Sequence, residues 1–209
     1  DEASISFEHA LKLNPRAANA ARGRGLALFK LARFQDALAC FDLVNEMQPD
    51  DVDVAHMRAT CMVRLRRFDE ALPEVRKVLA SKPDHADALN NLGNIYQSRG
   101  LHEEALPCFD QALARRPDFI QAMNSKAFSL TELQQFDEAL AIYERVSALA
   151  PDDATMRWNV GMIHLLHGDF EKGWIRRDAR WGAFSQQARN FTQPALRGDE
   201  PVEGKTVLL

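Results

Sequence analysis

Five prolines recur at a constant interval along the chain, and this interval constrains the fold more than any other feature of the sequence. They are Pro15, Pro49, Pro83, Pro117 and Pro151, each 34 residues after the one before. Proline has no backbone N–H to continue a helix, and it disfavours the helical conformation in the residue before it. The spacing therefore predicts repeated units of 34 residues, each closed by a proline that ends its last helix.

Other columns of the repeat align in the same register when the proline is numbered position 32 of each unit. Positions 8 and 20 are small, and position 24 is large and mostly aromatic. The three columns read Gly25, Ala59, Gly93, Ala127 and Gly161; Ala3, Ala37, Ala71, Ala105, Ala139 and Gly173; and Phe7, Phe41, Val75, Phe109 and Tyr143. Small residues let two antiparallel helices approach closely, and the large residue fills the space beside them. Each unit is thus predicted to be a helix A, a tight turn and a helix B.

Composition limits the class of protein. With 46% hydrophobic and 27% charged residues, the chain has the balance of a folded globular protein. No apolar run approaches the roughly 18 to 20 residues of a membrane-spanning helix. A net charge of −4 argues against a nucleic-acid partner, which needs clustered Lys and Arg. Cys40, Cys61 and Cys108 form no CxxC pair and are too few for a disulfide framework, which favours a reducing cytoplasm.

The segment 86–118 shows the repeat most clearly. Its characteristic residues are Leu92, Gly93, Tyr96, Ala105, Phe109, Ala112 and Pro117. They resemble the pattern of the tetratricopeptide repeat family, and the resemblance extends over about residues 1–174. It implies an all-α fold: a right-handed α-α superhelix of stacked antiparallel helix hairpins, with a C-terminal capping helix and an extended tail.

In this register the chain opens within a unit. The predicted units are a partial first repeat with helix B only (1–17), four complete repeats (18–51, 52–85, 86–119 and 120–153), a last repeat with a capping helix (154–191), and a linker with an orphan strand (192–209). Trp174 and Trp181 share one face of the capping helix, where they are expected to cover the last repeat; an aromatic ligand platform is the alternative. The run from Lys205 to Leu209 has no partner strand in the sequence, so it should pair with another chain, lie against the solenoid or open a further domain.

The C-terminal part of the sequence carries a second resemblance. Its residues are Gly168, Phe170, Gly173, Trp174, Arg180, Trp181, Gly204, Lys205 and Thr206. They are similar to the junction at which tetratricopeptide repeats of bacterial proteins run into a glycosyltransferase-like domain. The resemblance implies a nucleotide-sugar site beyond Leu209 and no catalytic residue within the sequence itself.

Resemblance to the family also implies where a partner binds. Positions 2, 5, 9, 12 and 13 of each unit, on helix A, line the concave surface of the superhelix. The residues predicted to form a peptide-binding groove there are Asn19, Arg22, Lys30, Asp53, His56, Arg64, Asp87, Asn90, Asn94, Gln97, Gln121, Asn124, Phe128 and Trp158. The groove is basic toward its N-terminal end, rich in amides in the middle and apolar at its C-terminal end. Amides donate to and accept from an extended backbone, so the pattern favours a peptide.

Position 7 departs from the family, because Arg24, Arg58 and Lys126 replace an aliphatic residue. Their stems are expected to pack along the hairpin while their charged heads reach solvent. No catalytic residue, cofactor or metal site is predicted. His164 and His167 have helical spacing for a shared metal, but His164 falls at a core position.

Three hypotheses of function follow. The first is a non-enzymatic scaffold for protein–protein interaction, with a peptide or helix of a partner in the groove. The second is the substrate-recognition arm of a larger glycosyltransferase. The third is self-assembly through the repeat ends or the C-terminal strand.

Overall fold

The computed structural model of the chain describes residues 17–151 and 153–175, and these residues form ten helices without a strand. The helices are α1 (Ala18–Lys30), α2 (Phe34–Met47), α3 (Val52–Arg64), α4 (Phe68–Ser81), α5 (Ala86–Ser98), α6 (His102–Arg115), α7 (Ile120–Glu132), α8 (Phe136–Leu149), α9 (Ala154–Leu166) and α10 (Phe170–Ile175). Odd-numbered helices are the A helices of successive hairpins and even-numbered helices the B helices. The predicted all-α superhelix of stacked hairpins is confirmed.

The recurring prolines act as the sequence predicts. Helix α2 ends at Met47, two residues before Pro49, and the residue between them, Gln48, has the non-helical angles φ −139° and ψ 70°. The same conformation recurs before the next proline, where Lys82 has φ −131° and ψ 80°. A proline forces its predecessor out of the helical region, so the B helices stop at one place in every unit.

The turn within each hairpin contains one residue with a positive φ. These residues are Ala32 (57°), Arg66 (60°), Gly100 (74°), Gln134 (60°) and Gly168 (84°), again 34 residues apart. In the first hairpin the N–H of Ala32 donates to Phe29 O at 3.0 Å and the N–H of Arg33 donates to Leu28 O at 2.9 Å. This pair of bonds is the Schellman arrangement, which satisfies the last carbonyl groups of helix A. Only two of the five turns use glycine, the residue that adopts this conformation without strain.

The hairpin interior depends on the small residue at position 8 and the large residue at position 24. Phe41 and Phe109 are fully buried, and each ring lies against the backbone of a glycine in helix A. A Cβ placed on Gly93 would lie 2.5 Å from Cε1 of Phe109, and one on Gly25 would lie 2.8 Å from Cε1 of Phe41. The glycines are therefore required by the rings rather than by backbone conformation.

Basic residues at position 7 connect one hairpin to the next. The Nε of Arg58 donates to Asp42 of the preceding unit at 2.8 Å, and its guanidinium also donates to Glu74 at 2.6 Å. Lys126 lies 2.6 Å from Asp110 of the preceding unit. The expectation that these heads reach solvent is wrong for Arg58, whose side chain is 15% exposed, because carboxylates on two B helices pair with it.

Several predicted segments lie outside the described residues. These are almost all of the partial first repeat (1–17), the part of the capping helix that contains Trp181, and the linker with its strand (192–209). Trp174 is described, on α10, and its side chain is 54% exposed. Within residues 17–151 and 153–175, no helix combines the length and the apolar character needed to cross a bilayer.

The turn geometry predicts that Gln134→Gly stabilises the protein. Gln134 is exposed and has φ 60°, a conformation that costs a residue with a side chain about 1 kcal/mol or more. Because glycine also gains freedom in the unfolded chain, we expect a net gain of about 0.5 kcal/mol in the free energy of unfolding, measured with urea. The matched control is Gly100→Ala, at φ 74° with open space around the position, which should lose about 1 kcal/mol. Equal losses in both variants would contradict the explanation.

The hairpin contact predicts that Gly93→Ala and Phe109→Val compensate each other. Gly93→Ala forces a methyl group into the Phe109 ring, which costs about 1–3 kcal/mol, and Phe109→Val leaves a cavity that costs about 2 kcal/mol. The double variant copies Ala59 and Val75, which occupy the same two positions one unit earlier. We expect it to be more stable than the sum of the single changes by at least about 1 kcal/mol in urea denaturation. Additive losses would show that the two positions do not share this contact.

Candidate functional site

The central A helices α3, α5 and α7 lie side by side on one wall of the stack. Helix α3 contacts α5 directly, and α5 contacts α7, although each pair belongs to different hairpins. Such contacts bring the A helices together on the inner side of a curved stack. We call the surface formed by α1, α3, α5, α7 and α9 the groove.

Acidic groove residues form ion pairs with the residue that directly follows the B helix of their own unit. Asp53 on α3 pairs with Lys82 at 2.7 Å, and Asp87 on α5 pairs with Arg116 at 2.7 Å. Each pair joins position 2 to position 31 of one unit. One oxygen of each carboxylate is therefore already engaged in an ion pair within the protein.

Basic residues at the N-terminal end of the groove are also engaged. Arg22 donates to Asp51 and to the side chain of Gln48, and the hydrogen bond to Asp51 lowers the pKa of that carboxyl below its usual value. The guanidinium of Arg64 lies over the ring of Phe34, 4.7 Å from its centroid. Of the predicted basic residues, Arg22 is thus neutralised by Asp51, whereas Arg64, over an uncharged ring, and the exposed Lys30 keep their charge.

The amide of Gln97 connects two A helices. Its Nε2 donates to the carbonyl oxygen of Ser125 and to Oγ of Ser129, both at 2.8 Å. Asn91, which is not a groove position, likewise donates to Oγ1 of Thr60 on α3 at 3.0 Å. Both amides hold neighbouring units at a fixed spacing.

Position 5 of three successive units behaves differently. The residues there are His56, Asn90 and Asn124, and each has a buried side-chain atom without a hydrogen-bond partner among the described residues: Nδ1 of His56 and Oδ1 of Asn90 and of Asn124. Asn90 is only 7% exposed. A buried polar group without a partner costs about 1–3 kcal/mol, so three of them at a 34-residue period require an explanation. We call these three side chains the position-5 ladder.

His56 sits in an environment that disfavours its charged form. Burial, followed by the nearby His85, lowers the pKa of His56 from 6.5 to about 4, against the opposing effect of Asp87 and Asp53. The two imidazole rings lie 4.4 Å apart between centroids. His56 is therefore neutral at physiological pH, and its ring can accept a hydrogen bond.

A small cavity opens into the groove between α1 and α3. It measures about 240 Å³ and is lined by Leu26, Phe41, Val54 and Met57, with Arg22, Asp53 and His56 also contributing. Sites for small molecules are usually larger, about 300–1,000 Å³. The cavity is therefore of a size for one apolar side chain rather than for a cofactor.

The remaining predicted groove residues differ in exposure. Asn19, Lys30 and Gln121 are exposed, Asn94 and Trp158 are half-buried, and Phe128 is 46% exposed beside the ring of His102. The sequence did not single out His85, which precedes α5 and accepts a hydrogen bond from the amide of Ala88 as its N-cap. His85 directly precedes a helix A, and this position lies near position 5 of the preceding unit. That location in the repeat could have identified it from the sequence.

Comparisons with known proteins agree with this architecture. Two family models, both described as tetratricopeptide repeat, match the sequence: one over residues 86–119, and the other over 1–52 and 124–173. Together they match more than half of the chain. No curated protein matches the sequence.

Solved structures show the same fold at low sequence identity. YrrB, a TPR protein with an unusual peptide-binding site, is 20% identical, with 87% of this chain and 93% of that chain covered and a TM-score of 0.59. The thermophilic TPR protein TTC0263 of Thermus thermophilus is 19% identical, with 83% and 93% covered and a TM-score of 0.65. A chain of the APC/C hetero-tetramer Cut9–Hcn1 is 13% identical, with 89% and 37% covered and a TM-score of 0.79.

The position-5 ladder predicts that alanine substitution of two adjacent asparagines changes the stability of the protein by different amounts. Asn90 and Asn91 are both buried on α5, at 7% and 5% exposure, but within the described part of the chain only Asn91 has a hydrogen-bond partner for its side-chain amide. Substitution by alanine changes helix propensity equally at both, so this contribution cancels. We expect Asn90→Ala to be more stable than Asn91→Ala by about 1–2 kcal/mol in urea denaturation. Equal stability would mean that Asn90 makes a favourable contact of its own.

Proposed function

The chain belongs to the tetratricopeptide repeat family, and on this premise we propose that its groove binds an extended peptide segment of a partner protein. Members of the family are protein-interaction scaffolds, and their fold is typically non-enzymatic. What is specific to this chain is the set of groove side chains that remain available to a partner.

The position-5 ladder is the observation that carries the proposal. Its buried atoms cost stability in the free protein, and they gain hydrogen bonds when rotation of the side chain brings them to a ligand that supplies donors. A peptide backbone supplies one N–H per residue other than proline. The ladder therefore favours recognition of the main chain, with little demand on the identity of the side chains.

The spacing of the ladder favours a particular peptide conformation. Packed helices lie about 8–10 Å apart, so the ladder offers one acceptor roughly every 8–10 Å. A polyproline-II segment repeats after three residues and rises about 3.1 Å per residue, which presents an equivalent N–H about every 9 Å. A peptide in this conformation, with a residue other than proline at every third position, therefore presents its N–H groups at the same spacing as the acceptors of the ladder.

The cavity between α1 and α3 adds selectivity at one end. Its apolar lining fits a single aliphatic or aromatic side chain of the peptide, and it adjoins His56, the first member of the ladder. The likeness to YrrB, whose description includes a peptide-binding site, supports the proposal only through the shared fold.

The glycosyltransferase-arm hypothesis receives less support from the structure. Gly168 adopts φ 84° in the hairpin turn, and a Cβ on Gly173 would lie 2.5 Å from the side chain of Leu165. Both residues are thus explained by the repeat itself, at positions 15 and 20. The junction resemblance then depends mainly on residues beyond the described range, and a stop codon directly after Leu209 in the gene would exclude it.

The proposal predicts that the paired change Asn90→Ala with Asn124→Ala weakens peptide binding. Peptides selected from a phage-displayed random 12-residue library would be titrated with the full chain by fluorescence anisotropy. Loss of two hydrogen bonds to the peptide backbone should raise the Kd about tenfold or more. N-methylation of the peptide at every third residue should have a similar effect, because it removes the same N–H groups.

The matched control is Asn91→Ala, which changes the adjacent asparagine, whose Nδ2 is already paired with Thr60. Its Kd should stay within about twofold of that of the unaltered chain, and circular dichroism should show equal helix content in all variants. An unchanged Kd in the double variant, or an equal loss in the control, would overturn the groove assignment.

A further inference from the structure

Two histidines and an aspartate from adjacent units meet in the groove. His56 lies on α3, whereas His85 and Asp87 lie at the start of α5. One ligand atom from each of the three residues lies within 4.8 Å of the others. The sequence predicts no metal site, because His56 and His85 lie at opposite ends of one unit, Asp87 belongs to the next, and only the stacking of α3 on α5 brings them together.

The three side chains retain coordinating capacity. Nδ1 of His56 is buried and has no hydrogen-bond partner among the described residues. Arg116 occupies Oδ1 of Asp87, but a carboxylate has a second oxygen. We propose that His56, His85 and Asp87 bind a divalent first-row transition-metal ion such as Zn²⁺.

The donor set determines the class of ion. Two imidazole nitrogens and one carboxylate oxygen suit Zn²⁺, Co²⁺ or Ni²⁺, whereas Ca²⁺ and Mg²⁺ prefer oxygen ligands alone. Ligand atoms sit about 2.0–2.2 Å from Zn²⁺ in tetrahedral geometry, so two of them on one ion lie about 3.3–3.6 Å apart. The observed limit of 4.8 Å closes to this value through small side-chain rotations. Solvent would complete the coordination, since three protein ligands leave a position open.

Metal binding competes with existing contacts of these residues. Nδ1 of His85 accepts a long hydrogen bond, 3.3 Å, from the amide of Ala88. If Nδ1 of His85 coordinates the ion, it can no longer accept this hydrogen bond. If Nε2 coordinates instead, the ring proton lies on Nδ1, which then cannot accept the hydrogen bond either. The positive end of α5 and the charges of Lys82 and Arg116 oppose a cation, while Asp87 and Asp53 favour it. The predicted affinity is therefore moderate, with a Kd in the micromolar range.

A bound ion would connect α3 to α5 and fix the relative position of two repeats. The ion would also use a nitrogen of His56, which is the member of the position-5 ladder next to Asn90. The metal site does not depend on the proposed peptide binding, because its ligands and its test involve the chain alone.

The test is a titration of the full chain with ZnCl₂ by isothermal calorimetry, after removal of metal with a chelator. We expect one ion per chain and a Tm that rises with Zn²⁺ concentration, because the ion binds the folded state. His56→Asn, His85→Ser and Asp87→Asn should each weaken binding at least about tenfold. His56→Asn installs the residue that the next two units carry at position 5, and serine at position 85 remains a good N-cap, so these variants should fold.

The matched control is His102→Asn, a histidine one unit away whose Nδ1 lies 3.3 Å from Oγ of Ser129. Its affinity for Zn²⁺ should be unchanged. Absence of binding, retention of full affinity in both His56→Asn and His85→Ser, or an equal loss in the control would each overturn the proposal. Co²⁺ provides a separate check: an intense thiolate charge-transfer band would assign the ion to the cysteines and also overturn it.

Discussion

The close approach of the two helices in each hairpin is the contact on which the rest of the structure depends. In the third complete unit the ring of Phe109 lies against the backbone of Gly93, where no Cβ could be accommodated. This contact sets the distance between α5 and α6, and the turn between them then has one geometry available, with a positive φ at Gly100. Because the other units place a small residue at position 8, a larger one at position 24 and a positive φ in the turn, their hairpins are built alike and stack in a regular array.

The fold could be predicted from the sequence because each of its recurring columns corresponds to a local contact. Position 8, position 24 and the proline at position 32 are all satisfied within one hairpin, so their effects appear as a short-range pattern. The roles of charged residues could not be predicted in this way. Arg58 pairs with Asp42 in one unit and Glu74 in another, and Asp53 pairs with Lys82 at the opposite end of its unit. The choice of ion-pair partner depends on how the units stack and on the length of the side chains, and the residue types at one repeat position do not contain this information.

The candidate site shows the same division between local and non-local information. Resemblance to the family indicated which positions face the groove, and the position-5 ladder lies among them. Which of these residues remain available depends on contacts between units: Gln97 is bonded to Ser125 and Ser129 on α7, whereas Oδ1 of Asn90 has no partner in the described part of the chain. His85 was missed because it ends one unit and caps the first helix of the next. A position that belongs equally to two units is easily overlooked when each unit is considered alone.

These contacts change the predicted picture of a groove that is basic at its N-terminal end, rich in amides in the middle and apolar at its C-terminal end. The positive charge of the N-terminal end is reduced where Arg22 pairs with Asp51, while Arg64, over the ring of Phe34, and the exposed Lys30 keep theirs. This end also has an apolar cavity beside His56. Buried polar atoms that lack partners lower the stability of the free protein, and a ligand that supplies donors offsets this cost. Under the proposed function, the ladder is therefore where a peptide backbone is expected to make its hydrogen bonds, and the apolar cavity is where one of its side chains is expected to lie.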